Sequence, residues 1–403
     1  MLMSLVGLAV LVSIAVLFSE NRSAINWPLV IKAFALQAGL AAFVLYVPVG
    51  QQVLAGMSNA VSGVLGYANN GINFLFGPLT GPDAGFVFAL KVLPIIIAFS
   101  AIVSGLYYLG VMQFVIKVLG GALQKVLGTS KPESFVATGN IFLGQSESPL
   151  LIRPFINNLS RSELFVMMAC GMASVAGSVL GGYAGLGVEM KYLIAASFMA
   201  APGALMIAKI VVPESDEVKN LENIEMERSD HQNIFDALAA GALSGMKMAA
   251  AVGSMLLAFI TVMAMVNEGL QGLTSIFGGE GISLQELLGY VFAPIAWLIG
   301  VEWNEAMLAG SFIGQKIVMN EFVAFIDFVN YQATLSEQTK VIVIFALCGF
   351  ANIGSIAILL GAVSILAPER RSEVAQLGLK AVLSGTIANL MSACLAGIFF
   401  TLS

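Results

Sequence analysis

Two carboxylates stand where an apolar chain can least accommodate them. Glu147 sits in the turn Gly144-Gln145-Ser146-Glu147-Ser148-Pro149, between the apolar runs 141–143 and 150–152. Glu321 lies in a second apolar stretch, shortly after Gly314-Gln315. A carboxylate accepts hydrogen bonds from vicinal hydroxyls or ring N–H groups, and an amide both donates and accepts. Gln145 beside Glu147 therefore suits the edge of a heterocycle, and Glu321 suits a polyhydroxylated group. The same carboxylates could instead carry a proton, ligate a cation, or be satisfied by backbone donors at a helix start. Gln315 reads equally well as a tip residue, and Glu302 and Glu305 as capping residues where the second stretch opens.

Three further groups carry polar atoms into apolar sequence. In Phe350-Ala351-Asn352-Ile353-Gly354-Ser355, Asn352 and Ser355 share a face if the segment is helical. Phe350 there could stack on a flat ring, or simply pack. Asn140 and Ser174 offer neutral oxygens near a suspected helix break, a donor set that suits Na⁺. Ser178 lies in a run of small residues and reads as helix packing. Lys91 and Lys247 fall within apolar stretches and are expected to snorkel or pair with acids at an interface.

Of the 403 residues, 58% are hydrophobic and 10% charged, with a mean hydropathy of +0.92. A soluble domain carries about a quarter charged residues. The chain is therefore an integral membrane protein, in which ionisable groups at membrane depth mark functional sites. The net charge of -6 is dispersed, and no basic run suggests nucleic acid as a partner. His231, the only histidine, lies in the most charged segment, which argues against a His-based metal site or a Ser-His relay. Cys170, Cys348 and Cys394 all sit in apolar sequence and read as packing residues. With no Asp-rich motif and no cysteine beside a base, an intramembrane transferase has little support. The apolar N-terminus lacks a positive n-region and a small-x-small site, so it is expected to be a retained span.

The elements that must position these residues follow from hydropathy. Eight spans are expected, at 2–18, 27–47, 86–109, 164–186, 192–212, 235–266, 341–366 and 374–402. Segments 134–155 and 306–328 are apolar but interrupted, each by a Gly-Gln pair and a carboxylate. Each is expected to be a re-entrant hairpin of two half-helices. Amphipathic stretches 51–65, 113–127 and 284–299, the last interrupted by Pro294, are expected to lie at the interface. Segment 213–233 reads as a solvent loop.

Lys117, Lys125, Lys131, Arg153 and Arg161 flank the first hairpin, and Lys209, Lys219, Arg228, Arg370, Arg371 and Lys380 mark the same side. Arg22 agrees. The positive-inside rule then puts both termini outside and has the second hairpin enter from the opposite side. Segment 139–145 resembles 310–315, and 173–178 resembles 351–355, each with one residue deleted. This is the inverted-repeat plan of a secondary transporter. It divides the single unit into scaffold (1–110), a first repeat (111–212), the loop and long span expected at a subunit contact (213–282), and a second repeat (283–403).

These motifs together resemble the concentrative nucleoside transporters. The match rests on Gly144-Gln145-Ser146-Glu147-Ser148, Asn320-Glu321-Phe322-Val323-Ala324 and Gly349-Phe350-Ala351-Asn352-Ile353-Gly354-Ser355. The resemblance covers essentially the whole chain and is tightest over 131–391. It looks like the bacterial form, without extra N-terminal spans. It implies an all-α homotrimer in the inner membrane, working as an elevator and importing nucleosides with Na⁺ or H⁺, without an organic cofactor. It implies that Gln145 and Glu147 read the base, with Ser146 nearby and Val179 packing on it. Ser146 stands where many relatives carry Thr, which leaves base preference open. Glu321, Asn352 and Ser355 would meet the ribose, and Phe350 the ligand ring. Asn140 and Ser174, with the carbonyls of Leu143 and Val175, would hold Na⁺. With those positions intact, Na⁺ coupling is the leading expectation and H⁺ coupling the alternative.

Overall fold

The computed structural model describes residues 1–81, 85–215, 230–276 and 281–402, and all regular structure among them is helical. Most of the expected loop at 213–233 (residues 216–229, with Lys219 and Arg228) lies outside the described residues. The chain begins with α1 (Leu2–Leu17), α2 (Trp27–Leu45), α3 (Pro48–Phe76), α4 (Phe88–Lys91), α5 (Leu93–Tyr108) and α6 (Val111–Leu127). The first hairpin is α7 (Lys131–Gly139), an irregular turn, and a 3-10 segment at Ser148–Asn158. Next come α8 (Arg161–Ala173), α9 (Gly177–Leu186), α10 (Met190–Val211), α11 (Ile234–Ile276) and α12 (Leu284–Leu298). The second hairpin is α13 (Trp303–Val318) and α14 (Glu321–Tyr331), followed by α15 (Glu337–Leu347), α16 (Ile353–Leu366) and α17 (Arg371–Leu402).

Side-chain caps set where many of these helices start. Ser130 with Glu133, Ser160 with Glu163, and Ser283 with Glu286 form reciprocal capping boxes at α7, α8 and α12. Asn320, Ser336 and Asn352 cap α14, α15 and α16. Several expectations shift. The stretch expected at 51–65 is part of a helix of 29 residues, and Pro294 lies inside α12 without ending it. α11 runs for 43 residues, about 65 Å at 1.5 Å per residue. Among the described residues six helices are long and apolar enough to cross a bilayer, or seven if α12 and α13, bent by 116°, count as one. α1 has only 16 residues, and the expected spans at 164–186 and 341–366 are each two helices meeting at an unwound link.

Burial separates two kinds of helix. In the span windows, 94% of residues are buried in α8–α9 and in α10, and 83% in α17, against 17% in α11. The first three form the core. α11 lies along α5, and small residues allow the close approach: a Cβ on Gly245 would stand 2.7 Å from the Ile97 Cα. Its outer side exposes Leu257, Met265 and Leu243.

Contacts order the ends of the molecule. Glu305, near the start of α13, accepts hydrogen bonds from the Ser336 N–H and hydroxyl, so the second hairpin opens where α15 begins. α15 and α16 lead away from there to Arg370, which donates to the Ile156 and Leu159 carbonyls at the exit of the first hairpin. The open ends of the two hairpins therefore lie at opposite ends of the α15–α16 helix. Glu305 thus serves the start of α15 rather than that of α13, and Glu302, at the α13 N-cap position, makes no side-chain cap. At the first hairpin's end, Glu20 accepts from Arg161 at 3.0 Å and Lys380 at 2.7 Å, and Lys209 pairs with Glu133.

The hydrogen bond from Arg161, reinforced by Lys380, holds the Glu20 carboxyl down at about 2. A depressed carboxyl stabilises the fold above its unfolded value near 4.5, and the effect is lost as pH falls toward 2. Glu20→Gln should therefore melt below wild type in detergent at neutral pH, with the gap closing between these two values. A gap independent of pH would reject the ion pair as its cause. Gly349 tests the packing: a Cβ there would stand 2.8 Å from the Ala173 carbonyl oxygen and from Asn389 Cγ. Gly349→Ala should cost about 1–3 kcal/mol by overpacking, whereas Gly121→Ala, in open space within α6, should not lower the melting temperature.

Candidate substrate cavity and cation site

The first-hairpin turn is held against two unwound links. Between α8 and α9 the chain leaves helical geometry at Ser174, and between α15 and α16 it does so at 348–352. The Phe350 N–H donates to the Ser174 carbonyl at 3.1 Å, joining the links directly. The Gly177 N–H donates to the Phe142 carbonyl at 2.9 Å, which fixes the hairpin turn at the start of α9. Gly177 is required there, because a Cβ would meet that same oxygen at 2.9 Å.

A cavity of about 460 Å³ opens at this junction, a size that suits a small organic ligand. It is lined by Gln145, Ser146, Glu147 and Val179 from one side, and by Glu321, Phe350, Asn352 and Ser355 from the other. The structure thus brings all eight sequence-predicted substrate residues together. Gln145 Nε2 donates to Ser355 Oγ at 3.1 Å, tying the turn to α16. Its Oε1 is buried without a hydrogen-bond partner. Glu147 Oε2 folds back to accept from the Gly144 N–H at 3.3 Å.

Glu321 is the most firmly held group. Its Oε1 accepts from the Tyr183 hydroxyl at 2.9 Å and its Oε2 from Asn352 Nδ2 at 3.2 Å. Asn352 is not on a helix face with Ser355, as its spacing suggested. It caps α16, its Oδ1 accepting from the Ser355 N–H at 2.8 Å, which turns the amide N–H₂ toward Glu321. Gln315 is misplaced by the sequence reading as well. It lies inside α13, where it donates to Ser311 and Asp327, and the hairpin breaks later, at Met319 and Asn320.

Most of the remaining cavity wall comes from α11, including Ser244, Lys247, Met255 and Phe259, with Met319, Asn320 and Phe322 of the second hairpin adding to it. Lys247 therefore faces the cavity. A neighbouring cavity of about 460 Å³ shares Glu147 and Ser244 and reaches Arg153, Asp230 and His231. Ser178 donates to Met248 Sδ at 3.6 Å, a packing contact as expected. Tyr183, Lys316 and Asn389 were missed. Tyr183 and Asn389 are each one polar group in an apolar run, which is itself the signal, since a buried Tyr hydroxyl needs a partner.

The suspected cation ligands lie in the two segments that meet at this junction. Asn140 ends α7 and its Nδ2 donates to the Val136 carbonyl at 2.9 Å, which fixes the amide. Its Oδ1 is buried without a hydrogen-bond partner. The Ser174 hydroxyl donates to the Cys170 carbonyl at 2.9 Å, which leaves its lone pairs free to accept. Gly171 lets α8 touch this turn, a Cβ there falling 3.3 Å from the Gln145 Cα and 3.9 Å from Asn140 Oδ1. Leu143 and Val175 are buried at the same junction. An oriented, unpartnered amide oxygen beside a helix break is what a small hard cation requires.

Comparison with known proteins identifies the family. Three family models cover nearly the whole chain: the N-terminus of Na⁺-dependent nucleoside transporters over 6–79, a nucleoside recognition gate over 89–190, and the transporter C-terminus over 192–397. The chain belongs to the Na⁺-dependent nucleoside transporter family. Nucleoside permease NupC of Helicobacter pylori is 46% identical, with 100% of this chain and 98% of that protein covered. Sodium/nucleoside cotransporter 1 of Mus musculus is 36% identical over 99% of this chain and 64% of its own length. CNTnw in an inward-facing, substrate-bound state is 52% identical, with a TM-score of 0.96 over 100% of this chain and 98% of its own. A CNTnw variant in an outward-facing state scores 0.97, over 100% and 99%. The family consists of multi-pass membrane transporters, and the chain is a transporter rather than an enzyme.

Tyr183 gives the geometry a direct check. Tyr183→Phe removes a hydrogen bond to a buried carboxylate, worth about 1.5–3 kcal/mol. The substrate-free protein should melt lower in detergent, and an unchanged melting temperature would show that the bond to Glu321 contributes nothing.

Proposed function

We propose that this protein imports nucleosides, uridine and related pyrimidine nucleosides foremost and purine nucleosides as well, by symport with Na⁺. The observation that carries this reading is the single cavity where Gln145, Glu147, Glu321, Asn352 and Ser355 converge, beside the unpartnered oxygen of Asn140. A nucleoside is neutral, with a flat ring and a hydroxylated sugar, and this mixture of amides, hydroxyls and carboxylates complements it. Gln145 and Glu147, with Ser146, meet the base, which packs on Val179 and Phe350. Glu321, Asn352 and Ser355 hold the ribose. Na⁺ binds the side chains of Asn140 and Ser174 and the carbonyls of Leu143 and Val175. It orders the first hairpin and so raises the population able to bind nucleoside.

The working unit is a homotrimer in the inner membrane, with lipid around it and both termini on the periplasmic side. Each protomer moves its hairpins and broken helices as an elevator against a scaffold that includes α3 and α11. The exposed apolar sides of those two helices support a subunit contact. The opposed openings of the hairpins support their re-entrant insertion from the two membrane faces. Proton coupling through Glu147 or Glu321 is the second reading, favoured by the two carboxylates that line the cavity.

In proteoliposomes an inward Na⁺ gradient should accelerate uridine uptake. Equal uptake with K⁺ in its place removes Na⁺, and uptake driven by a pH gradient without Na⁺ establishes the proton reading. No uptake of any nucleoside under either gradient would sink the function. Glu321→Gln should reduce uptake by about tenfold or more, through one charge-assisted hydrogen bond, and near-normal uptake would reject the ribose assignment.

A further inference from the structure

Both core helices that break do so at a carboxyl-terminal end, where unbonded carbonyls and the helix dipole concentrate negative potential. At the end of α8, the Ala173 carbonyl accepts from Asn389 Nδ2 at 2.6 Å, and Asn140 Oδ1 stands nearby without a partner. At the end of α15, the place of a cation is taken by a side chain. Lys316, in the last turn of α13, is 1% exposed. Its Nζ donates to the Ala346 carbonyl at 2.7 Å and to Asn389 Oδ1 at 2.7 Å. Neither partner is a carboxylate. A backbone carbonyl at a helix end and an Asn amide oxygen form the same class of donor set as that around Asn140.

We propose that the Lys316 ammonium is a tethered cation that fills the second helix break, doing at the end of α15 what a dissociable cation does at the end of α8. The inference rests on the cation-coupled reading above. A lysine buried at membrane depth is costly unless its charge is used, and an apolar side chain would have filled the same volume. The charge draws together the last turn of α15, Asn389, and the second hairpin. Asn389 in turn donates to the carbonyls of Ala173 and Cys348, so the same ammonium orients the amide that bridges the two links. The second hairpin is thereby pinned with or without a free ion, and only the first hairpin waits for one. Lys316 is a positioning residue: it is not among the residues that line the cavity, and its hydrogen bonds go to α15 and Asn389.

The test uses the full-length protein in proteoliposomes, with Lys316→Ala as the variant. Nucleoside uptake should fall by about tenfold or more, the scale of one charge-assisted hydrogen bond. Ethylammonium, which supplies the missing charge and most of the missing volume, should restore it, and ethanol should not. Unchanged uptake, or a folded variant that ethylammonium does not rescue, overturns the proposal. If Lys316→Ala does not fold, the wild type decides through the charge carried per nucleoside, measured from reversal potentials. A single positive charge per nucleoside supports a permanently filled second break, and two overturn it. Wild-type uptake distinguishes the two levels: its absence removes the transport reading and this inference with it, whereas uptake with either overturning result removes the Lys316 role alone.

Discussion

Everything at the centre of this molecule depends on two interrupted helices satisfying each other's backbone. In a bilayer no water is at hand for a free N–H or C=O, so unwound chain persists only where protein supplies the partners. Here the Phe350 N–H reaches the Ser174 carbonyl, and Asn389 spans from the Ala173 to the Cys348 carbonyl. Remove that mutual bonding and both links would favour rewinding into continuous helix. Asn352 would then lose its capping position, and Glu321 the amide donor that reaches it.

The cavity inherits its asymmetry from this junction. One wall is made of polar residues at hairpin and helix starts, fixed by hydrogen bonds to one another. The other belongs to α11, mostly apolar, with Met255 and Phe259 offering a surface without directional bonds. The proposed movement of the hairpins against the scaffold accords with a polar wall that grips and an apolar wall that does not. Methionine adds to this, because its flexible side chain adapts to changing neighbours.

The residues at the junction were legible in the sequence because charges and amides are rare in so apolar a chain. Glu147, Glu321, Asn140 and Asn352 stood out on that ground alone. Their local geometry was harder to see. Gln315 follows a glycine, as Gln145 does, yet α13 continues beyond it, because the cap that starts the next helix comes from Asn320. Asn352 and Ser355 were spaced as helical neighbours, whereas the N-cap conformation makes the first a ligand of the second's backbone. Tyr183, Lys316 and Asn389 escaped notice because their partners are remote in sequence: 216 residues separate Asn389 from Ala173. Hydropathy located the helices well, and it had no means of measuring how far α3 and α11 extend beyond their apolar stretches.

The hydrogen bond between Gln145 and Ser355 sets a condition on any guest. To enter between the hairpin turn and α16, a solute must replace that bond with two of its own, one to the amide and one to the hydroxyl. A molecule of the right shape but without those polar edges would leave both groups buried and unmatched, a penalty of several kcal/mol. Exclusion of flat, greasy look-alikes thus needs no dedicated barrier. It follows from a pocket in which Gln145 and Ser355 already bond to each other, and which yields only to a visitor offering at least as much.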